Sequence, residues 1–246
     1  MVALGGVPVL LQLAMPWPTR SKELLRGISL SMGNLSMSPA VRKEAETQGG
    51  WKSLLVLAKE YPGPGLISVP DAWFDALRSL ANLALHGPLQ KPMLESGALD
   101  IAVSFSKKSD SDFRAQAVRL AGNLSSCCRN GEDEWVTRCF SSPDVIKALG
   151  DATHEAIAVT DGRFESLPTY ASAYAKLSAV PDIALWLFDV QGISVLQAFG
   201  QTSGTVAEDV KVHVGTILAK CLRQRLNQRI VLEMLRNHDS SDKVSP

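Results

Sequence analysis

Leu80-Ala81-Asn82-Leu83-Ala84 recurs along this 246-residue chain, and its recurrence decides the fold. Upstream it reads Leu30-Ser31-Met32-Gly33-Asn34-Leu35-Ser36, and downstream Leu120-Ala121-Gly122-Asn123-Leu124-Ser125. Two weaker copies, Tyr174-Ala175-Lys176-Leu177-Ser178 and Leu218-Ala219-Lys220-Cys221-Leu222, carry Lys in place of the Asn. Successive copies lie 41 to 53 residues apart, a period that marks stacked helical repeats.

A second block interleaves with the first. Gly5-Gly6-Val7-Pro8-Val9-Leu10-Leu11-Gln12-Leu13 is echoed by Gly49-Gly50-Trp51-Lys52-Ser53-Leu54-Leu55-Val56-Leu57. Ser96-Gly97-Ala98-Leu99 and Gln191-Gly192-Ile193-Ser194 repeat it. From Asn34, Asn82 and Lys176 to the next such Gly is 15 or 16 residues. Near Ser142-Pro143 the Gly is missing, and the register there stays open.

Each unit reads as three helices. The Asn block closes a long one. A short helix follows, as over 39–47, and a Gly ends it because Gly takes up left-handed backbone angles at little cost. An apolar helix comes next, as over 51–59, and a polar loop leads to the following long helix. Over 71–85, Trp73, Leu77, Leu80 and Leu83 share a helical face, and Pro70 suits the start. Over 112–125, Phe113, Ala117, Leu120 and Leu124 do the same.

This pattern resembles the armadillo repeat family, the group that includes beta-catenin and importin alpha. The residues that carry the likeness are Gly5 to Leu13 and Leu80 to Ala84, and the likeness extends over about Leu4 to Leu235. HEAT repeats are two-helix units without the mid-repeat Gly. The resemblance implies an all-α, right-handed solenoid, a superhelix of three-helix repeats. About five repeats would fill residues 1–236, with the first incomplete because Met1 to Ala14 reads as a second helix without its first. A polar tail over 237–246 is expected to be disordered.

Composition narrows the function classes. With 46% hydrophobic residues the chain can bury a large core. Lys plus Arg and Asp plus Glu are 25 each, which argues against bulk nucleic-acid binding. The four cysteines, Cys127, Cys128, Cys139 and Cys221, form no CxxC pair and read as reduced thiols of a cytoplasmic protein, also compatible with the nucleus. No apolar run reaches the about 18 residues that span a membrane. The segment 1–14 is a poor targeting sequence, interrupted by Gly5, Gly6 and Pro8.

No catalytic constellation is visible. His86, His154, His213 and His238 are scattered and share no Cys at metal-ligand spacing. Gly63-Pro64-Gly65 lies in a Pro-rich insertion that lacks the amide donors of a phosphate cradle. The sequons at Asn34 and Asn123 fall at helix ends and are discounted. The reading is a protein-binding scaffold, neither an enzyme nor a holder of metal or cofactor, with no small-molecule substrate.

The resemblance also implies where partners bind, because in the family the third helix of each repeat lines a concave groove. The Asn positions are then Asn34, Asn82, Asn123, Lys176 and Lys220. Asn is suited to the task, since its amide both donates to and accepts from a peptide backbone. Four residues earlier, one helical turn away on the same face, stand Leu30, Arg78, Arg119, Ser172 and Thr216. Eight earlier stand Arg26 and Phe74. Importin-alpha-like repeats place Trp at the four-earlier position. Here Arg78 and Arg119, with Lys176 and Lys220, make a basic track that is more like beta-catenin and suits an acidic, extended partner segment. Armadillo-type GDP-dissociation stimulators of small GTPases also lack the Trp array, so a GTPase regulator is the alternative. A further basic run, Lys220, Arg223, Arg225 and Arg229, reads as the solvated face of a final helix, with Leu222, Leu226 and Ile230 on its apolar side.

Overall fold

Proline in the first turn opens six of the helices among the described residues, because its fixed φ suits a helix start and its missing N–H has no partner there in any case. The structure is a computed structural model that describes residues 6, 9, 10, 22–59, 70–128, 134–159, 166–201 and 207–241. Within these, the side chains at 22, 23, 25, 26, 70, 159, 227, 228 and 230–241 fall outside the description. The expected helix over 1–14 lies outside the described residues apart from 6, 9 and 10, and so does the insertion over 61–69.

Among the described residues there are thirteen α-helices and no strand. The long helices that close each unit are α1 (Lys22–Leu35), α4 (Pro70–Leu83), α7 (Ser111–Leu124), α10 (Leu167–Leu177) and α13 (Ala207–Ser241). Between them run short first helices, α2 (Pro39–Gln48), α5 (Gly87–Glu95), α8 (Glu134–Phe140) and α11 (Pro181–Trp186). The apolar second helices are α3 (Trp51–Lys59), α6 (Ala98–Ser106), α9 (Pro143–Val159) and α12 (Val190–Gly200). The long helices stack in chain order, α1 on α4, α4 on α7, α7 on α10 and α10 on α13. They form one continuous layer, the arrangement of a three-helix solenoid. The open register near Ser142-Pro143 resolves here: Pro143 starts the second helix of its unit.

The core lies between the long helices and the second helices. Trp73, Leu77, Leu80, Leu83, Leu120 and Leu124 are buried as their spacing predicts. Farther along, Tyr174 packs against the rings of Trp186 and Phe199 at 6.0 and 6.2 Å. One buried charge was not foreseen. The Arg114 side chain is 5% exposed, donates to the carbonyls of Lys108 and Ser109 at 2.8 and 2.7 Å, and pairs with Glu155 at 3.2 Å. It ties the loop before α7 to α9.

The glycines divide by mechanism. Gly49 and Gly97 take φ of 67° and 86°, the expected left-handed breaks before α3 and α6. Gly192, read as a third break of this kind, instead sits inside α12. A Cβ there would come within 2.3 Å of the Trp186 carbonyl oxygen, so the missing side chain lets α12 approach the end of α11. The backbone of α13 is helical through Ser241. One other expectation changes. Leu222 and Leu226 do not pack inward; each is 59% exposed, and Val210, Ile217 and Cys221 form the buried side of that helix. The side chain of Ile230 lies outside the described residues.

Gly122 tests the stacking directly. A Cβ there would lie 2.7 Å from the Ala173 Cα across the α7–α10 contact, whereas one on Gly215 in α13 would meet nothing within 4 Å. Gly122→Ala is expected to destabilise by about 1–3 kcal/mol through overpacking. Gly215→Ala is expected to stabilise by about 0.5–1 kcal/mol through helix propensity. Thermal unfolding of the two variants checks the pair; shifts of the same sign would show that α7 and α10 do not meet this closely.

Candidate functional site

A helix leaves its last carbonyls without intrahelical donors, and buried ones must find partners elsewhere. After α1, Ser36 N–H donates to the Met32 carbonyl at 2.9 Å and Met37 N–H to that of Asn34 at 3.4 Å, passing over Gly33. Gly33 O instead accepts from the Ser36 hydroxyl at 3.0 Å and from Asn82 Nδ2, one repeat further on, at 3.2 Å. After α4 the same turn passes over Ala81, whose carbonyl accepts from Asn123 Nδ2 at 2.6 Å. After α10 it passes over Ala175, which accepts from the Ser178 hydroxyl at 3.1 Å and from Lys220 Nζ.

The amide oxygens carry the chain of bonds onward. Arg78 Nη2 donates to Asn34 Oδ1 at 3.2 Å, and Arg119 Nη2 to Asn82 Oδ1 at 2.6 Å. Lys176 Nζ donates to Asn123 Oδ1. Each Asn of the second and third units therefore donates to the repeat before it and accepts from the repeat after it.

This corrects the sequence reading of Asn82 and Asn123. They are 3% and 1% exposed and spend their amides within the solenoid, so neither is presented to a partner backbone. Asn34 is exposed, with Arg78 on its oxygen. Phe74 is also not a free groove residue: its ring meets Phe113 edge-on at 5.5 Å, and Phe113 stacks on Phe105 at 5.3 Å. Leu30 and Thr216 are exposed and Ser172 is half-buried. The side chain of Arg26 lies outside the described residues. The basic positions Arg78, Arg119, Lys176 and Lys220 fall on successive long helices, the first three bound to the Asn amides and Lys220 to the Ala175 carbonyl.

A column missed in the sequence completes the site. Seven residues before the last four Asn positions, two turns away on the same face, stand Asp75, Gln116, Thr169 and His213. That spacing was the available signal. Asp75 pairs with Arg78 at 2.8 Å and balances its charge. One repeat on, Gln116 gives Arg119 only a neutral amide oxygen at 3.0 Å. Burial, and then the charge of Arg78, hold the Arg119 guanidinium below its ordinary pKa. Arg119, Lys176, Thr169, Ser172, Asp209 and His213 line a recess of about 390 Å³ between α7, α10 and α13. Burial lowers the His213 pKa, Asp209 opposes that, and Lys176 adds to it; the net shift is downward.

The stack of long helices matches solved solenoids. A designed armadillo repeat protein in complex with a (KR)4 peptide aligns with a TM-score of 0.62 and 15% identity, over 89% of this chain and 83% of its own. ARO, the armadillo-repeats-only protein of Plasmodium falciparum, gives 0.61 and 16% identity over 87% of this chain and 93% of its own. This chain has the armadillo-repeat fold. An engineered protein also aligns at a TM-score of 0.62 and 21% identity, over 89% of this chain; the alignment spans about half, 48%, of that protein. No protein-family model and no curated protein matches the sequence. Among the described residues no helix is long and apolar enough to cross a membrane, and no cluster of His, Cys, Asp and Glu could hold a metal ion.

The inter-repeat bonds give an opposite expectation for two asparagines. Asn123→Leu strands the Ala81 carbonyl and takes one partner from the Lys176 ammonium, and is expected to destabilise by about 1–3 kcal/mol. Asn34→Ala, at an exposed position with no donor bond to a preceding repeat among the described residues, should change stability by less than about 0.5 kcal/mol. Urea unfolding of both variants is the measurement; equal costs would mean that the buried amide does not hold the repeats together.

Proposed function

We propose that this armadillo solenoid is a non-enzymatic scaffold that captures an extended acidic segment of another protein on its long-helix layer. The observation that carries the reading is the placement of Arg78, Arg119, Lys176 and Lys220 on four successive long helices, each fixed by a bond to the preceding repeat. Anchored cations lose little side-chain freedom when an anion arrives, so they recognise it at low entropic cost. The designed neighbour holds a basic peptide; the cations here call for a partner of opposite charge. The attraction is uneven along the face. Asp75 offsets Arg78, so the face is most positive from Arg119 to Lys220.

Fluorescence anisotropy with extended peptides rich in Asp and Glu, against neutral and Lys-rich controls, tests the proposal. Acidic peptides should bind tightest, and raising salt from 50 to 300 mM (about a halving of the Debye length or more) should weaken them several-fold. The double variant Arg119→Gln, Lys176→Gln, checked for folding by circular dichroism, should bind at least about tenfold less tightly, the loss of two charge-assisted contacts. Acidic peptides that bind no better than the controls would overturn the reading. So would acceleration of GDP release from a small GTPase that the double variant leaves intact, which would favour a regulator of such GTPases acting through another surface.

A further inference from the structure

The recess between α7, α10 and α13 is built differently from the rest of the face. In the repeat before it, the cation at the four-earlier position has its own carboxylate: Arg78 with Asp75. At the recess the equivalent Arg119 has two neutral partners, Gln116 Oε1 and Asn82 Oδ1. Two of its five N–H donors are thereby used, and the plane of the guanidinium is fixed. Lys176 stands beside it, held by Asn123. Thr169 and Ser172 add hydroxyl donors one turn apart on α10, and His213 adds an imidazole from α13. Pro168 and Thr169 belong to the first turn of α10, whose aligned peptide dipoles put further positive potential into the recess. Among the described residues the one carboxylate on the wall is Asp209, exposed in the first turn of α13. Among these residues two fixed cations face one carboxylate, so the described wall is positive.

We propose that this recess receives a phosphomonoester, the phosphorylated Ser or Thr side chain of the captured segment. The proposal rests on the acidic-segment reading above and makes it specific. A carboxylate offers one charge and two oxygens. A phosphomonoester offers nearly two charges and three acceptor oxygens, which matches a guanidinium, an ammonium and two hydroxyls converging on a space of about 390 Å³. Arg119 supplies the planar fork and Lys176 the point charge, the two ways in which proteins hold phosphate.

The test uses the full chain and one Ala/Glu-rich extended peptide in three forms, with phosphoserine, Glu or Ser at its centre, and inorganic phosphate as competitor. The phosphoserine form should bind at least about tenfold more tightly than the Glu form, the difference expected when charge-assisted bonds to a dianion replace those to a monoanion. Ser172→Glu puts a negative charge on the wall without touching the inter-repeat bonds, and should abolish that preference. Asp209→Asn removes the opposing carboxylate and should strengthen it. A positioning or stability effect would not move the two variants in opposite directions. If the Glu and phosphoserine forms bind equally, or if Ser172→Glu leaves the preference unchanged, the recess is not a phosphate site, while tight binding of both forms would still uphold acidic capture. If inorganic phosphate binds as tightly as the phosphopeptide, the recess serves a free anion and the partner-borne group is refuted. If none of the peptides binds, the acidic-segment reading fails with it.

Discussion

The carbonyl that α1, α4 and α10 each leave unpaired at their ends governs this solenoid. The turn after α1, α4 and α10 uses its backbone donors on either side of one residue and passes over Gly33, Ala81 and Ala175 in turn. Those carbonyls sit inside the stack, where water does not compensate a missing bond, so each must take a donor from elsewhere. The next long helix supplies it from its Asn position, or, after α10, from Lys220. Much follows from that need. The donor must arrive at one height along the stack, which sets the register between repeats. The residue before the Asn must be small, and it is Gly or Ala in all four stacked units from Gly33 to Ala175. Gly122 shows why most directly, because its α-carbon hydrogen faces the Ala173 backbone across the α7–α10 contact.

The same bonds determine what the long-helix layer can offer a partner. Amides committed to neighbouring repeats cannot also clamp a foreign backbone, so binding chemistry passes to the cations that rest on them. Where Lys replaces Asn, at Lys176 and Lys220, the longer stem still reaches the preceding repeat and the site gains charge. Selectivity along the layer then depends on small differences at the seven-earlier column. Asp75 neutralises its Arg, and Gln116 orients its Arg and leaves it charged. One carboxylate-to-amide difference between neighbouring repeats thus turns a structural ion pair into a recess open to an anion.

Arg114 is the counterweight on the other side of the layer. It is a buried charge paired with the exposed carboxylate of Glu155 and two backbone carbonyls, and it binds a loop to α9. Removing Glu155 or breaking the loop contacts is costly because the Arg114 charge would stay buried with less compensation. Apart from this polar cluster the region is packed by the aromatic core around Tyr174, Trp186 and Phe199.

The sequence by itself determined the period, the three-helix unit, the left-handed breaks at Gly49 and Gly97 and the buried face of each long helix. All of these follow from local rules: helical spacing of apolar residues, and the backbone freedom of Gly. It also placed Arg78, Arg119, Lys176 and Lys220 on one layer, because residues at equal offsets from a repeating mark share a face. Only the tertiary structure decided what the polar groups do. Whether Asn82 faces a ligand or the Gly33 carbonyl depends on how closely α4 approaches α1, and no local pattern encodes that distance. Gly192 looked like the other breaks until the end of α11 was seen to press against it. The recess escaped notice for the same reason, since Arg119, Thr169 and His213 come from three helices and become neighbours only when the repeats stack.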